Sequence, residues 1–286
     1  MATLRTIKRR IASVRSTQQI TKAMKMVAAA KLRKAQNQLL STRPYAHELE
    51  EVLGHIAGRM KRDQHPLLEA RRIKRICYVV ISADRGLCGS FNANISRRAL
   101  QEVAANKELQ PAVVTIGSKG YDYLRRREVP ILSNQVDVFN TLDFAQAQRI
   151  ADLLAGWYTA KKFDQIMVIY NEFKNAVSQK IVVEQLLPIV PLMPEASKFP
   201  VGYIFEPNPE RILQEICPLN LHVQLWRILL ESSASEHGAR MTAMGTASDN
   251  AADMIKELVL YYNKARQAAI TKELTEIIGG AEALKG

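Results

Sequence analysis

The first 47 residues of this chain contain no aspartate or glutamate, although they contain eleven lysines and arginines. This absence excludes ion pairs between helical neighbours in the segment. Over all 286 residues, 40 basic and 28 acidic side chains give a formal charge of +12. Beyond the segment, 29 basic residues face the same 28 acidic ones, so nearly all of the net charge lies at one end. The basic residues are Arg5, Lys8, Arg9, Arg10, Arg15, Lys22, Lys25, Lys31, Arg33, Lys34 and Arg43.

Long apolar runs and paired cysteines are also missing. No stretch of about 18 apolar residues exists, which excludes a membrane-spanning helix on sequence grounds. The start has no apolar block before a small-residue cleavage site, so we expect no secretory signal, and the unbroken basic pattern argues against a transit peptide. Cys77, Cys88 and Cys217 share no metal-ligand spacing and are expected to be free thiols in a reducing compartment.

Catalytic motifs are absent as well. The chain has neither G-x-S-x-G nor a Walker lysine, and none of its five histidines has a second histidine or a cysteine at ligand spacing. We therefore expect no enzyme activity, no cofactor and no metal. The adjacent pair Glu236 and His237 is interpreted as a helix-surface contact.

The basic segment has the pattern of one long helix. Residues 2–43 contain no glycine or proline, and apolar residues recur every three or four positions. Thr3 is a candidate N-cap. Pro44 predicts a kink or break, after which helical character resumes over 48–60. Forty helical residues span about 60 Å, so the helix needs an equally long partner.

The other end of the chain supplies that partner. Residues 219–278 contain no proline and only two glycines, Gly238 and Gly245. Apolar positions follow a three–four alternation of mostly alanine and methionine, which predicts a thin coiled coil. The small residues of 232–252 favour an ordinary helical seam, with a helix threading a tight space as the alternative. Helices at opposite chain ends would pair antiparallel and enclose the middle.

The middle predicts an α/β fold. Short β-branched runs at 76–82, 112–117, 165–170 and 181–187 are typical of strands, and helical patterns lie at 92–105, 119–127 and 144–161. The alternation predicts a mostly parallel sheet covered by helices. The expected domains are an N-terminal coiled-coil helix (1–60), a central α/β domain (74–195) and a C-terminal coiled-coil helix (209–286). The proline-rich stretch 188–209 predicts an irregular connection.

The loop SADRGLCGSFN (82–92) follows a strand and opens a helix, where α/β sheets place phosphate-binding loops. It lacks both G-x-x-x-x-G-K-[ST] and G-x-G-x-x-G, so we interpret it as a tight turn rather than a nucleotide site. Asp84 and Arg85 either cap this turn or face a partner.

The basic helix leaves four interpretations open. It is a solvated face, a nucleic-acid-binding arm, a membrane-surface helix, or a shaft inside an acidic protein ring. No aromatic residue precedes Tyr45, which weakens base stacking and membrane binding.

Four blocks in the same order resemble the gamma subunits of F-type ATP synthases. They are IKRRIASVRSTQQITKAMKMVAAAKLRKAQ (7–36), SADRGLCGSFNANI (82–95), SEHGARMTAMGTASDNAADMI (235–255) and YNKARQAAITKELTEIIGGAEAL (262–284). The tail carries the family pattern at Ile270, Thr271, Glu273, Glu276, Gly280 and Ala281. The cysteine-bearing insertion of chloroplast gammas is lacking, so thiol regulation is not expected, and the initiator methionine favours a bacterial origin.

The resemblance implies a central rotor stalk. Its terminal helices would form an antiparallel coiled coil inside three alpha and three beta subunits, below which a Rossmann-like central domain would lie near epsilon and the c-ring. It would transmit torque between a proton-driven c-ring and the catalytic beta subunits without nucleotide chemistry of its own. The expected location is peripheral, on the cytoplasmic face of a bacterial membrane, which the chain meets only through the complex. A basic nucleic-acid-binding protein is the alternative.

The resemblance also assigns contact residues. Those implied to meet the beta subunit are Met24, Lys25, Cys88, Arg240, Arg266, Gln267, Thr271 and Glu273. Those implied to meet epsilon and the c-ring are Tyr203 and Glu206.

Overall fold

The computed structural model describes residues 3–59, 65–176, 178–191, 206 and 208–283. The α-helices in these ranges are α1 (Leu4–Arg59), α2 (Phe91–Ala105), α3 (Ser118–Arg125), α4 (Phe144–Thr159) and α5 (Pro209–Ala283). The strands are β1 (Ile76–Ile81), β2 (Ala112–Ile116), β3 (Ile131–Gln135), β4 (Gln165–Phe173) and β5 (Gln179–Leu187). A short 3₁₀ helix follows α2 at Lys107–Leu109.

The strands form one sheet in the order β3-β2-β1-β4-β5. β1 pairs in parallel with both β2 and β4, β2 pairs in parallel with β3, and only β5 runs antiparallel to its neighbour. Every residue of β1 is buried, as expected for a central parallel strand covered on both faces. The predicted mostly parallel sheet is confirmed.

Alternate residues of β1 enter two different cores. Cys77, Val79 and Ile81 belong to the core that α4, α5 and the end of α1 cover. Ile76, Tyr78 and Val80 belong to the core beneath α2 and α3. This alternation follows from the two-residue period of a strand and makes the central region a three-layer α/β structure.

Strand β3 is an element that the sequence patterns did not predict. Its sequence, ILSNQ, has only two apolar residues, and no residue of the strand is fully buried. β3 lies at the edge of the sheet, where one side of the strand has no neighbour in the sheet. Edge strands can therefore be polar and lack the apolar run by which the inner strands were recognised.

The chain divides into two compact units. The smaller unit comprises Met1–Val27 and Met241–Gly286, and the larger unit is Ala28–Arg240. In the larger unit, Ala46 and Leu49 of α1 pack with Val223 of α5, and Gln224 donates a 2.6 Å hydrogen bond to Glu50. Further along α5, His237 lines a cavity together with Lys31. Residue numbers thus rise on α5 as they fall on α1, which confirms the antiparallel pairing.

The smaller unit contains the beginning of α1 and the last part of α5. The Lys25 side chain passes Gly245 so closely that a methyl group there would lie 3.5 Å from Lys25 Nζ. Its buried residues are few and mostly small or flexible, including Ile7, Thr21, Met244 and Ala251. This agrees with the thin coiled coil predicted from alanine and methionine.

Of the kink or break predicted at Pro44, the break is wrong, because α1 continues through this residue to Arg59. A proline inside a helix removes one backbone hydrogen bond and costs about 3 kcal/mol. Leu39 before the proline and Ala46, Leu49 and Leu53 after it are all buried. Tertiary packing on both sides therefore holds the helical path, and α5 likewise contains Pro218.

The start of α1 agrees with its predicted cap. The Thr3 carbonyl accepts the backbone N–H groups of Thr6 and Ile7, and the Thr3 hydroxyl lies 3.4 Å from the Thr6 nitrogen. In the part of the chain described, no helix is long and apolar enough to cross a membrane.

Candidate functional site

The sheet has a topological switch point between β1 and β4, where connections leave in opposite directions. Open α/β sheets bind ligands in the crevice at the carboxyl ends of such strands. Here α5 fills that place. The Ser235 hydroxyl donates a 3.0 Å hydrogen bond to the Asn171 carbonyl at the end of β4, and Ala239 packs on Ala83, Cys88 and Phe91 beyond β1. The chain's own helix thus occupies the usual position of a nucleotide.

Gly238 allows this close approach. A Cβ atom at this position would lie 3.1 Å from the Ala176 carbonyl oxygen and 3.3 Å from its Cα. These are backbone atoms, so the contact is relieved only by moving the helix or the segment that follows β4. The glycine therefore sets how deeply α5 enters the crevice.

We predict opposite effects for two glycine-to-alanine changes in helices. Gly156→Ala in α4 should raise the free energy of unfolding by roughly 0.5–1 kcal/mol, because nothing lies within 4 Å of the new methyl group and alanine favours helix. Gly238→Ala should lower it, since the clash outweighs that gain. Urea unfolding of the two variants measures both changes, and stabilisation by Gly238→Ala would contradict the tight seating of α5.

The loop 82–90 is held by hydrogen bonds to the beginning of α3. The Ser82 hydroxyl accepts from the Gly120 nitrogen at 2.8 Å, and Asp84 accepts from the backbone and hydroxyl of Ser118 at 3.0 and 3.1 Å. Asp84 therefore caps the start of α3, which settles its role in the turn. The loop is the predicted strand-to-helix connection.

Arg240 joins this loop to α5. Its guanidinium donates to the carbonyl oxygens of Arg85 and Gly86 at 3.2–3.4 Å and forms a 2.6 Å ion pair with Glu236. Both charged side chains are largely buried, with 12% and 7% exposed. One cation thus satisfies a buried carboxylate and two loop carbonyls.

The interpretation of Glu236 and His237 as a surface contact is wrong. Glu236 lies 5% exposed, and burial raises its pKa while Arg240 opposes that rise. Burial, with the charges of Arg240 and Lys31, lowers the pKa of His237 to about 4. The true partner of Glu236 is Arg240, one helical turn away, and that four-residue spacing was visible in the sequence.

Cys88, implied by resemblance to meet a partner, is only 1% exposed. Asn92 lies 3.2 Å from its sulfur, and burial raises the pKa of the thiol. Leu87 next to it is 63% exposed and adopts a left-handed backbone, with φ of 61°. The loop therefore offers Leu87 rather than the Cys88 side chain to its surroundings.

The other implied beta contacts differ in exposure. Met24 is half-buried and Lys25 is exposed on α1. Arg266, Gln267, Thr271 and Glu273 are exposed on α5, and the Thr271 hydroxyl donates to the Gln267 carbonyl. Glu206 is exposed, whereas Tyr203 lies outside the described residues.

The smaller unit carries a strongly apolar exposed surface, which we call the apolar tip. From residue 271 to 281 every residue is exposed. Leu260 is 71% exposed, Ile277 68% and Ile278 65%. Exposed apolar surface of this extent is typical of an interaction site. The exposed apolar residues of the unit include Ile20, Met26, Val27, Met254, Val259, Leu260, Tyr261, Ile270, Leu274, Ile277 and Ile278.

A metal centre gains little support from the geometry. Among the residues that the structure describes, His47, Glu48 and Glu51 bring their ligand atoms within 4.8 Å of one another. All three are exposed, and His47 lies 3.8 Å from Glu51 as helical neighbours do. The arrangement is that of a solvated helix face.

Comparison with known proteins shows the family to which the chain belongs. A family model described as ATP synthase matches residues 3–284. Curated relatives named ATP synthase gamma chain include those of Geobacter sp. (strain M21), 48% identical over 288 residues, and Desulforamulus reducens, 48% identical over 285 residues; both alignments cover 100% of each chain. The family model shows that the chain is an ATP synthase subunit. The full-length relatives show which subunit: the chain belongs to the ATP synthase gamma-chain family.

Solved structures agree. A chain from the Tetrahymena thermophila mitochondrial ATP synthase, described as central stalk and c-ring, is 28% identical with a TM-score of 0.63; the match covers 80% of this chain and 99% of that one. A chain from the Euglena gracilis mitochondrial ATP synthase shares the fold with a TM-score of 0.72 at 22% identity, over 98% of this chain and 94% of that one. The antiparallel helices enclosing an α/β domain are therefore the family's fold.

Proposed function

We propose that this chain is the central rotor stalk of an F-type ATP synthase and transmits torque between a proton-driven c-ring and catalytic beta subunits. The observation that carries the proposal is the apolar tip, where Leu274, Ile277 and Ile278 are each more than half exposed. A helix end that buries nothing of its own needs a surrounding protein to cover its apolar residues. A ring of three alpha and three beta subunits supplies such a sleeve.

The closed crevice supports a mechanical rather than chemical role. Since α5 fills the switch point of the sheet, the usual nucleotide position is unavailable to a ligand. Family membership decides against the nucleic-acid alternative. We propose that residues 1–60 and 209–286 form the shaft. The domain that meets epsilon and the c-ring would be 74–195.

Contacts with the beta subunit are proposed for Met24, Lys25, Arg266, Gln267, Thr271 and Glu273 along the shaft. Arg240 and Cys88 support the loop from within, so we propose that Leu87 makes that loop's outward contact. Glu206 and Tyr203 are proposed to meet epsilon and the c-ring. The complex would place the chain at the cytoplasmic face of a bacterial membrane.

We predict that Arg266→Ala combined with Gln267→Ala impairs coupling without unfolding the chain. Both side chains are exposed, so their loss leaves internal packing intact. A hydrogen bond to a charged group is worth about 1.5–3 kcal/mol, so losing such contacts to beta should lower ATP-driven proton pumping by about tenfold. Pumping is measured in vesicles that contain the reconstituted complex.

Lys264→Ala is the matched control, because Lys264 is exposed on the same helix but is not among the proposed contacts. It should pump like the unmodified complex. Equal pumping by the double variant and the control would contradict the proposed contact. Loss of nucleotide binding at the catalytic sites would argue against a purely mechanical role.

A further inference from the structure

A cavity of about 200 Å³ lies between α1, the end of β5 and the early part of α5. Its polar wall residues in the described ranges are Glu50 of α1, Glu184 and Gln185 of β5, and Asn220 and Gln224 of α5. All of them belong to the larger compact unit. We call this space the Glu50 cavity.

The charge of the Glu50 cavity is negative. Glu50 and Glu184 line it, whereas no lysine, arginine or histidine among the described residues does. Glu184 has a partner, since the Arg227 guanidinium lies 2.6 Å away. Glu50 forms no ion pair in the part of the chain described, and burial raises its pKa more than the charge of Arg227 lowers it. The cavity therefore contains a carboxylate without a cation of its own.

The amide of Asn220 also lacks a partner. Asn220 is 3% exposed, yet its amide nitrogen forms no hydrogen bond with any described residue. Gln224, one helical turn later, instead donates to Glu50 at 2.6 Å and accepts from Arg227 at 2.9 Å. Residues four apart share a helix face, so the Asn220 amide lies on the side of α5 that meets Glu50. Most buried polar side chains are hydrogen-bonded, and a buried amide without a partner points to a missing one.

The remaining wall of the cavity is apolar. It includes Leu53 of α1, Leu221 of α5, and Ile189 and Val190, which follow β5. Val190 is 61% exposed, so solvent reaches the cavity beside this residue. An apolar wall suits an aliphatic side chain, whereas the two carboxylates suit a cation.

We propose that the Glu50 cavity binds the amino terminus of a peptide chain whose first residue is aliphatic. The terminal ammonium supplies the cation that Glu50 lacks, through a charge-assisted hydrogen bond. The first peptide group carries both a donor and an acceptor, as the Asn220 amide does, so the two can pair. The first side chain packs on the apolar wall. Sites for drug-sized ligands have volumes of about 300–1,000 Å³, so this smaller cavity suits a single residue.

The probe is L-leucinamide, because it carries an ammonium, an amide and an aliphatic side chain in one residue. It is added to the full-length chain, and binding is measured by isothermal titration calorimetry. NMR of the side-chain amide groups, with the Asn220 signal assigned by Asn220→Leu, shows where it binds. We expect a saturable response at Asn220. The formal charge of +12 disfavours non-specific binding of a cation elsewhere on the chain.

Relatives of the probe test each of its groups. N-acetyl-L-leucinamide lacks the ammonium and 3-methylbutylamine lacks the amide, so each should bind at least several-fold more weakly. L-Leucine carries a carboxylate, which Glu50 and Glu184 repel, and it should also bind more weakly. The amidated tripeptide leucyl-glycyl-glycine should bind at least as tightly as leucinamide, because it continues from the same terminus. Its failure to bind would overturn the assignment to a peptide.

Substitutions in the cavity test the protein side. Glu50→Gln should weaken leucinamide binding by about tenfold or more, because a charge-assisted bond is lost while the shape of the cavity is kept. Asn220→Leu, which is close in volume, should weaken it several-fold. Glu48→Gln is the control, since Glu48 is exposed on the same helix and its substitution changes the net charge equally without altering the cavity.

Circular dichroism and urea unfolding check that each variant is folded. Asn220→Leu should not lower the free energy of unfolding, because it removes a buried amide that has no partner. Equal binding of leucinamide by Glu50→Gln and Glu48→Gln would overturn the proposal, as would a response that does not saturate. Binding of 3-methylbutylamine as tight as that of leucinamide would overturn the role given to Asn220.

Discussion

Replacing Arg240 with methionine is expected to lower the free energy of unfolding by about 3–5 kcal/mol, the usual cost of leaving one member of a buried ion pair alone. The substitution removes the partner of the buried Glu236 carboxylate and three hydrogen bonds to two carbonyl oxygens of the loop after β1. Arg240→Lys should cost less, because it keeps the charge but cannot reach carboxylate and carbonyls together. Urea unfolding measures all three proteins.

The stability loss of Arg240→Met should depend on pH, and this dependence tests the role of the buried Glu236 more directly. Burial already raises the pKa of Glu236, and without Arg240 that pKa should rise further. A carboxyl group with a raised pKa in the folded state destabilises the fold increasingly as pH rises above its unfolded value. The deficit of Arg240→Met should thus be larger at about pH 8 than at about pH 5. The His237 pKa, released from Arg240, changes stability in the same direction.

Arg98→Met is the matched control for Arg240→Met. Arg98 forms a 2.6 Å pair with Glu102 at the same four-residue spacing, but its side chain is 48% exposed. Exposed pairs contribute about 0–1 kcal/mol. A similar loss in both variants, or a deficit that does not vary with pH, would contradict the role assigned to the buried Glu236.

Replacing Arg227 with methionine should be comparably damaging, at about 3–5 kcal/mol, because two carboxylates depend on this guanidinium. Arg227 lies 2.6 Å from Glu184 and 3.4 Å from Glu231, and it also donates to Gln224. Burial disfavours its charge, but Glu184, Tyr170 and Glu231 more than offset this and raise its pKa. This cluster joins α5 to β4 and β5 and, through Gln224 and Glu50, to α1.

A second substitution distinguishes a buried charge from lost packing. Glu231 is 5% exposed on its side chain, and its Oε2 atom has no hydrogen-bond partner within the described residues. Adding Glu231→Gln to Arg227→Met should restore part of the stability, about 1–2 kcal/mol, because the more deeply buried of the two carboxylates is then no longer charged. Additive losses would show that packing alone is responsible. Arg211→Met, at an exposed pair, should change little.

Much of the fold follows from local patterns. The apolar β-branched runs at β1, β2 and β4 predicted inner strands because those strands are covered on both faces. β3 was not predicted, because an edge strand can be polar and then lacks an apolar run. The helix break expected at Pro44 was wrong, because the prediction considered only the local backbone, in which proline opposes a helix. The contacts that keep α1 helical there come from α5, which is far away in sequence.

In the candidate site, too, some features followed from the sequence and others only from the tertiary structure. Exposed shaft positions such as Arg266 and Gln267 came from the family pattern, and their exposure agrees with an outward role. The burial of Cys88 and of the Glu236–Arg240 pair depends on how α5 enters the crevice beside β1 and β4. Arg227 and its carboxylates were missed entirely, since four segments of the chain contribute to the cluster.

By itself, the sequence determined the two long helices, their antiparallel partnership, the mostly parallel sheet and the concentration of positive charge in the first 47 residues. These properties depend on periodicity and composition, which are local. Only the tertiary structure decided that α5 closes the switch point, that Glu236 is buried and that Arg227 of α5 meets Glu184 of β5. The burial of a charge, and pairing between segments such as Arg227 with Glu184, arise from residues distant in the chain, and no local pattern records which of them will meet.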